Sequence, residues 1–503
     1  MKKLFFSLLL ILFSQMSVAA THYVTDFSDN YSSKSLRGAI SQASSGDEII
    51  IKGSGRITLT LGQIYISNKS LIIRALSPDA VIIDANGNSR IFYFRTTSYK
   101  KITLKNLSFV NGKVKASHAD AGAAILARSF NSDKTSLLSI ENCQFINNIA
   151  ERYNYEATPM GGAITSSFSL DVSDSDFYFN QAIDGTGAAI HADALDNSNL
   201  ASRVTIKNSN FIGNSAGTGG AVYIPPNVDY ASFSSVQFRN NFASVGGAMM
   251  AINKELAISN SKFIGNRASL QAGAIYLGNE IDVDIKTTEF DDNYADRVGG
   301  ALISYSVGKI KIAHSSFGNN RSDYVGGAID VYGDSVDMTI ENTTISGNSA
   351  VRGAAIYVPN DTNPRILLNH VTLANNNSNS GGALVGNSSS ANFTLLNTIL
   401  ANNNPSDCSA GVIIRGDNII TNTSYCNIIQ VWYYPSNLIF ADPGLQSFGY
   451  YGGNTKTHPI GAGSSAHNAG VIECDLRYDQ RYISRDSLCD IGAYEFKFRN
   501  PIP

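Results

Sequence analysis

The residues with the types needed for chemistry are concentrated between positions 111 and 202 of the 503-residue chain. Irregular stretches there carry ionisable and aromatic side chains, namely His118, Asp120, Glu151, Arg152, Tyr153, Tyr155, Glu156, His191, Asp193 and Asp196. Cleaving an acidic polysaccharide by elimination needs a base beside the uronate and a cation that neutralises its carboxylate, roles that Asp120, Glu151 and Arg152 could fill. Glycoside hydrolysis needs two carboxylates roughly 5 to 9.5 Å apart. The tyrosines equally suit sugar stacking without catalysis.

Other signatures of chemistry are missing from the sequence. Carboxylates and histidines in loops are most often simply solvated, which favours a non-catalytic interpretation of these residues. The chain has no His-Glu-x-x-His, no closely spaced cysteine pair and no repeated calcium-binding Gly-Gly-x-Gly-x-Asp nonapeptide. It also has no Gly-x-Ser-x-Gly between a strand and a helix. The sequence therefore predicts neither a metal nor a cofactor.

A repeated unit must position these loops. The stretch FIGNSAGTGGAVYI, from Phe211 to Ile224, is followed by FRNNFASVGGAM, FIGNRASLQAGAI, FDDNYADRVGGAL and FGNNRSDYVGGAI. Each unit has an aromatic residue, an asparagine three positions later, a glycine pair and a short apolar run, except that FIGNRASLQAGAI has Ala-Gly in place of the pair. The repeated asparagines are identified as Asn148, Asn180, Asn214, Asn241, Asn266, Asn293, Asn320, Asn348, Asn376 and Asn402. From Asn214 onward they recur every 25 to 28 residues.

This period predicts an all-β solenoid, a parallel β-helix over residues 57–402. Each unit holds only short pieces rich in Val, Ile, Tyr and Phe, and none holds ten residues of helical periodicity. Strands about 4.8 Å apart would stack some twelve coils into a rod of about 60 Å. Recurring Phe and Ile would fill internal columns, recurring Asn would form a hydrogen-bonded ladder, and the glycines would form tight turns. A phosphate-binding loop occurs once and opens a helix, so we interpret the glycines as scaffold.

Both ends of a β-helix expose strand edges that must be covered. In the segment SLRGAISQA, the residues Leu36, Ala39, Ile40 and Ala43 have helical spacing, which predicts a short capping helix within an N-terminal cap of residues 21–56. Residues 403–503 are predicted to form the final coils and the opposite cap.

The first twenty residues are typical of a secretory signal peptide. Lys2 and Lys3 precede an apolar run from Leu4 to Phe13, and Ala20 ends a small-residue cleavage site. No later segment is apolar enough to span a bilayer. The charged fraction of 16% and the net charge of −3 argue against a nucleic-acid partner.

Export permits disulfides, and four of the five cysteines lie in the last hundred residues. The economical pairings are Cys408 with Cys426 and Cys474 with Cys489, although four cysteines allow three connectivities. Cys143 is expected to be a buried, small apolar residue.

Two families resemble parts of the chain. The paired motifs Gly-Gly-Ala-Ile/Leu/Val and Phe-x-x-Asn, over residues 109–402, resemble the repeats of polymorphic outer membrane proteins, which implies a right-handed β-helix associated with adhesion. The stretch from Asp442 to Gly470, with Asp479-Gln480-Arg481 and CDIGAYEF, is similar to the choice-of-anchor Q domain, which closes many surface β-helix proteins. Only about a hundred residues follow Asn402, which leaves little room for the membrane barrel of the first family. The charged residues of the tail are expected to form structural ion pairs: Asp475, Asp479, Arg481, Arg485, Asp486 and Asp490.

These observations favour an exported bacterial interaction protein without catalytic activity. It would be secreted or held at the outer surface, with the periplasm also allowed, and its partner would be a host or environmental glycan or a surface protein. The early loops and a lateral face would provide the binding surface. A polysaccharide lyase or glycoside hydrolase using the same loops, and a passive structural component of the envelope, are the alternatives.

Overall fold

The computed structural model describes residues 19–116, 121–130, 136–153, 158–192, 202–306, 308–389, 392–429, 436–470 and 474–497. The fold is the predicted right-handed parallel β-helix, in which every long-range strand pairing is parallel. Each coil contributes up to four strands, which we assign in chain order to faces 1 to 4. Faces 1 and 2 form one 30-stranded sheet because the strand Gly411–Ile420 belongs to both.

The strands of the four faces are as follows. Face 1 contains Thr21–Val24, Glu48–Ile51, Leu71–Ala75, Lys101–Lys105, Leu137–Glu141, Ser169–Ser173, Arg203–Lys207, Tyr230–Ser234, Glu255–Ser259, Asp282–Lys286, Lys309–Ala313, Asp337–Glu341, Arg365–Asn369, Phe393–Leu396, Gly411–Ile420 and Asn427–Ile429. Face 2 contains Gly55–Thr58, Val81–Asp84, Ser108–Val110, Gln144–Ile146, Asp176–Tyr178, Asn210–Ile212, Gln237–Arg239, Lys262–Ile264, Glu289–Asp291, Ser316–Gly318, Thr344–Ser346, Thr372–Ala374, Ile399–Ala401 and Ser436–Ile439. Face 3 contains Lys113–Ala116, Ile149–Arg152, Gln181–Thr186, Ser215–Thr218, Phe242–Val245, Arg267–Gln271, Tyr294–Ala295, Arg321–Ser322, Ser349–Arg352 and Asn377–Ser380. Face 4 contains Ile64–Ser67, Phe92–Thr96, Ile125–Ser129, Ile164–Ser166, Ile190–Ala192, Val222–Ile224, Met249–Ala251, Ile275–Asn279, Leu302–Ser306, Ile329–Val331, Ile356–Tyr357, Leu384–Val385 and Cys408–Ser409.

In-register pairing stacks equivalent side chains in columns inside the solenoid. Phe211 pairs with Phe238, which pairs with Phe263 one coil later. Ring centroids along this column are 4.5 to 4.9 Å apart, and the rings are fully buried. Its members are Phe109, Phe145, Phe177, Phe211, Phe238, Phe263, Phe290 and Phe317. The predicted apolar column is confirmed, and it supplies much of the burial that stabilises the coils.

A buried asparagine ladder lies where face 2 turns into face 3. Asn241 donates from its backbone N–H and from Nδ2 to Oδ1 of Asn266, at 3.1 and 2.9 Å, and Nδ2 also donates to the Phe211 carbonyl. The predicted last member, Asn402, is wrong. Asn376 donates instead to Asn403, while Asn402 occupies the preceding left-handed turn position with φ of 58°.

The glycine pairs are scaffold, as predicted, and their two members serve different purposes. Gly219 has a φ of 59°, in the left-handed region that side chains disfavour. At Gly220 a Cβ atom would lie 1.9 Å from the carbonyl oxygen of Gly247 in the next coil. The first glycine therefore permits the turn, and the second permits close stacking of successive turns.

The predicted capping helix is Leu36–Gln42. Ser35 caps it by accepting a hydrogen bond from the Gly38 N–H at 3.1 Å, and its apolar residues are buried. Thr21–Val24 and Glu48–Ile51 on either side already pair as strands of face 1, so the solenoid begins within the segment predicted as a cap. Residues 1–18 of the predicted signal peptide lie outside the described residues. Among the described residues, no helix is long and apolar enough to cross a membrane.

Residues 440–470 and 474–497, here called the arm, lie along the side of the solenoid. The sequence predicts a tail that closes the far end, but the arm contacts face 2 at Glu289, Thr344 and Thr372, which are spread over four successive coils. Small residues allow this approach, because a Cβ atom at Gly318 would lie 2.6 Å from the ring of Phe448. The arm therefore braces the flank of the later coils.

Disulfides and buried ion pairs hold the C-terminal region together. The structure joins Cys408 to Cys426 and Cys474 to Cys489, the economical pairing, and leaves Cys143 buried with a free thiol. Arg481 pairs with Asp479 at 2.6 Å, and Arg485 pairs with Glu495 at 3.2 Å, all with side chains at most 8% exposed. Arg485 also donates to Oδ1 of Asn342 on the solenoid, at 2.9 Å. These charges have structural partners, as the sequence predicts.

Candidate binding surfaces

Two of the sequence-predicted loop residues lie on face 3 and already have partners. Glu151 forms an ion pair with Lys113 at 2.8 Å, on the adjacent strand. Arg152 donates from Nη2 to the carbonyl oxygen of Asp184 at 2.8 Å, one coil further on. These contacts tie both side chains to neighbouring coils.

His191 and Tyr153 have opposite environments. His191 is 3% exposed, its Nδ1 lies 2.8 Å from Oγ1 of Thr186, and its ring stacks on Tyr223 at 4.9 Å. Burial lowers the pKa of His191 to about 3, so the imidazole is neutral at physiological pH. Tyr153 is 70% exposed. Of these two residues, only Tyr153 is accessible to a ligand.

The other predicted loop residues lie outside the described residues: His118, Asp120, Tyr155, Glu156, Asp193 and Asp196. A binding or catalytic site assembled from the early loops therefore stays a prediction.

A groove of about 570 Å³ runs along face 1, open to solvent across five adjacent strands from Tyr230–Ser234 to Asp337–Glu341. Side chains of a strand alternate between the two sides of the sheet, so the outward positions of successive coils form columns. The first outward column is Tyr230, Glu255, Asp282, Lys309 and Asp337. The second is Ala257, Asp284, Lys311 and Thr339. The fold thus presents a polar side chain at regular intervals along the rod.

The groove carries charges of both signs, several of them in ion pairs. Lys311 pairs with Glu341 at 2.8 Å, Asp284 with Lys286 at 2.6 Å, and Asp337 with Arg365 at 3.2 Å. The lining has five carboxylates and two ammonium groups, and with Lys286 and Arg365, which pair with Asp284 and Asp337, the formal excess is one negative charge. The lining charges are Glu255, Asp282, Asp284, Asp337 and Glu341 against Lys309 and Lys311. These exposed pairs are weak, so a ligand can replace them at low energetic cost.

Sequence reasoning missed the individual residues of this groove, although it expected a lateral face to bind. The signal was present in the polar residues two positions apart, Asp282 and Asp284 in one unit and Lys309 and Lys311 in the next. To assign these residues to one surface, one must know which residues of neighbouring coils pair. The coils differ in length, so the repeat period predicts that pairing only to within a residue or two.

One histidine and two cysteines are close enough to suggest a metal site. Within the described chain, the ligand atoms of His370, Cys474 and Cys489 lie within 4.8 Å of one another. Both sulfurs belong to the disulfide, so the imidazole would be the one remaining strong ligand. We therefore interpret this group as a histidine that packs against a disulfide, with His370 Nε2 lying 3.4 Å from Sγ of Cys489.

Comparisons with known proteins add little to this picture. No protein-family model matches the chain, and no curated protein matches it. Among solved structures, the chain is similar to one described as the crystal structure of pectate lyase Pel9A. The identity is 14%, the TM-score is 0.30, and the match covers 96% of this chain and 98% of that one. A similarity this low carries no argument about activity or substrate.

Proposed function

We propose that the protein is an exported, non-catalytic binding protein of the adhesin type that holds an extended, uncharged glycan along the face 1 groove. The observation that carries the proposal is the open groove itself, whose polar columns repeat from coil to coil over five strands. A periodic surface favours a periodic ligand, because each repeat of the polymer can meet an equivalent set of side chains.

The groove chemistry suits hydroxyl groups. Carboxylates such as Glu255 and Asp337 accept hydrogen bonds from sugar hydroxyls, and the ammonium group of Lys309 donates to sugar oxygens. Tyr230, at one end of the groove, offers a ring against which a pyranose can pack. The adjacent carboxylates of Glu255 and Asp282 disfavour polyuronates in this part of the groove, because the ligand carboxylates would be repelled.

A catalytic alternative has no comparable support. Of the three residues assigned to it from sequence, Glu151 and Arg152 have partners on neighbouring coils, and Asp120 lies outside the described residues. A passive envelope component stays the alternative in which neither the groove nor the early loops bind.

The deciding experiment combines the purified mature protein with neutral and acidic polysaccharides and follows both by size-exclusion chromatography with light scattering. We expect co-elution with a neutral polymer of unchanged mass. A falling polymer mass would identify an enzyme, and separate elution from every polymer would favour the passive role.

A matched pair of variants tests the siting. Asp337→Ala combined with Glu255→Ala should weaken glycan binding about tenfold, which corresponds to about 1.4 kcal/mol. Asp323→Ala on face 3 is the control, because Asp323 is also an exposed carboxylate paired with an arginine, Arg321, at 2.8 Å. Equal affinity of the groove variant and the control would contradict the siting.

A further inference from the structure

The arm contains a second cleft, distinct from the face 1 groove. It has a volume of about 490 Å³, within the usual range of small-ligand sites. Tyr450, Tyr451, Tyr494, Arg481 and Lys497 line it. We propose that this cleft binds an acidic saccharide, a sugar chain that carries uronate carboxylates, independently of the glycan proposed for face 1.

The aromatic walls of the cleft are held in fixed positions. The Arg481 guanidinium stacks on the Tyr494 ring at 3.5 Å and donates to the carbonyl oxygen of Tyr451 at 3.2 Å. Asp479 fixes the same guanidinium from behind through Nε at 2.8 Å and Nη2 at 2.6 Å. Preorganised aromatic walls suit sugar binding, because little side-chain freedom is lost when the ligand arrives.

Space for the ligand lies beside the turn that follows Tyr450 and Tyr451. Gly452 has a φ of 91°, and a Cβ atom there would meet nothing within 4 Å. Tyr450 is 50% exposed, and its hydroxyl donates to Oε2 of Glu289 at 2.6 Å, which fixes the orientation of the ring. The Tyr450 ring is therefore accessible, and the backbone at Gly452 leaves open space beside it.

Two partly exposed ammonium groups lie at the cleft: Lys497 lines it, and Lys262 is bound to Glu289 beside it. Lys497 is 36% exposed, and Lys262, whose Nζ lies 3.1 Å from the Tyr450 hydroxyl, is 35% exposed. Their carboxylate partners Glu289 and Glu495 are at most 2% exposed. The accessible counter-charge is Asp486, which pairs with Lys497 and is 61% exposed.

This arrangement favours an anionic ligand. A uronate carboxylate can replace Asp486 beside Lys497, because an exposed ion pair contributes little stability. The Lys497 ammonium group would then neutralise the ligand carboxylate while the tyrosine rings contact the sugar. The face 1 groove instead presents the adjacent carboxylates Glu255 and Asp282, so one protein would present two surfaces with different glycan selectivity.

The test measures binding of four tetrasaccharides to the full mature chain by isothermal titration calorimetry and saturation-transfer NMR. The acidic probes are the tetrasaccharides of hyaluronan and polymannuronate, and the neutral probes are chitotetraose and mannotetraose. We expect at least one acidic probe to bind about tenfold more tightly than its neutral counterpart, and to weaken as salt rises.

Variants locate the site. Tyr451→Ala should weaken the acidic probe roughly three- to tenfold through lost ring contact, and Lys497→Gln should weaken it about threefold and reduce its salt dependence. Tyr324→Ala, which removes a 62% exposed tyrosine from another face, is the matched control. Unchanged melting temperatures of the variants exclude misfolding of the arm.

The proposal is overturned if neither acidic probe binds at millimolar concentration, if each neutral probe binds as tightly as its acidic counterpart, or if both cleft variants bind like the control. Because the face 1 variants leave the cleft intact, failure of one proposal is distinguishable from failure of the other.

Discussion

Tyr450 donates its hydroxyl to Oε2 of Glu289 at 2.6 Å, across 161 residues of sequence. Lys262 and Lys456 flank the same carboxylate at 3.0 and 3.3 Å, and Glu289 is 2% exposed. Burial opposes ionisation of this group, yet the hydrogen bonds from Tyr450 and Lys262 and the charges of both lysines hold the pKa of Glu289 below its usual value of 4.5. The arm is thus joined to the solenoid by a carboxylate whose ionised form the folded state favours.

We predict that Glu289→Gln loosens the arm. Because the folded-state pKa of Glu289 is lowered, its contribution is complete above pH 4.5 and is lost as the pH falls through the lowered pKa. The Gln variant should lose about 1–3 kcal/mol of stability at pH 7 and show a weaker acid dependence. Thermal unfolding of both proteins between pH 3 and 7 measures this, with exposed Glu280→Gln as control. Parallel pH profiles would contradict the prediction.

We predict that Asn293→Ala strongly destabilises the solenoid. Asn293 accepts at Oδ1 from the backbone N–H and Nδ2 of Asn266, both at 3.0 Å, and donates to Asn320 in the next coil. Removing it leaves buried donors unsatisfied, at a cost of about 2–4 kcal/mol in the free energy of unfolding. Denaturant unfolding of this variant and of exposed Asn379→Ala gives the comparison. A loss no greater than that of the control would show that the ladder contributes little.

The repeated columns were predictable from the sequence because each coil needs an apolar side chain in the interior and a tight turn at equivalent positions. The phenylalanine column, the glycine turns and the capping helix follow from the residue types and their period. The misplaced end of the asparagine ladder shows the limit of this reasoning. Asn402 and Asn403 are consecutive asparagines, and only the pairing of Leu373 with Leu400 decides which one faces inward.

The binding surfaces were far less predictable. The arm lies against face 2 through contacts such as that of Asn342 with the Tyr478 carbonyl, which join residues more than a hundred positions apart. No sequence period encodes such contacts. The clustering of Asp284 and Lys311 in one groove depends likewise on register rather than on residue type.

We predict that Cys143 does not react with thiol reagents in the folded protein. It is 1% exposed, and burial raises the pKa of its thiol to about 12, so almost no reactive thiolate forms at neutral pH. Thiol titration without reductant should detect no thiol per folded chain and one per unfolded chain. More than one thiol after unfolding would contradict the two disulfides, and labelling of the folded chain would contradict the burial of Cys143.

Asp330 is an uncompensated buried carboxylate on face 4. It has no exposed surface, and neither of its oxygens has a hydrogen-bond partner in the part of the chain that the structure describes. A Cβ atom added at Gly326 would lie 2.8 Å from the Cβ atom of Asp330, so the backbone packs closely against this side chain. Ile303 and Tyr357 occupy the paired positions in the two adjacent coils. Burial raises the pKa of Asp330 well above its usual value of 3.8.

We predict that Asp330 makes the protein less stable as the pH rises. The carboxyl stays protonated in the folded state at pH values where the unfolded chain is ionised, so stability falls from pH 3.8 upward until the raised pKa is passed. Asp330→Asn cannot ionise, and it should therefore flatten this dependence and add about 1 kcal/mol or more at pH 8. Melting temperatures of both proteins from pH 4 to 9 measure the effect, with exposed Asp361→Asn as control. If the melting temperature of Asp330→Asn falls with pH as steeply as that of the wild-type protein, the Asp330 carboxyl does not stay protonated in the folded state and the prediction is wrong.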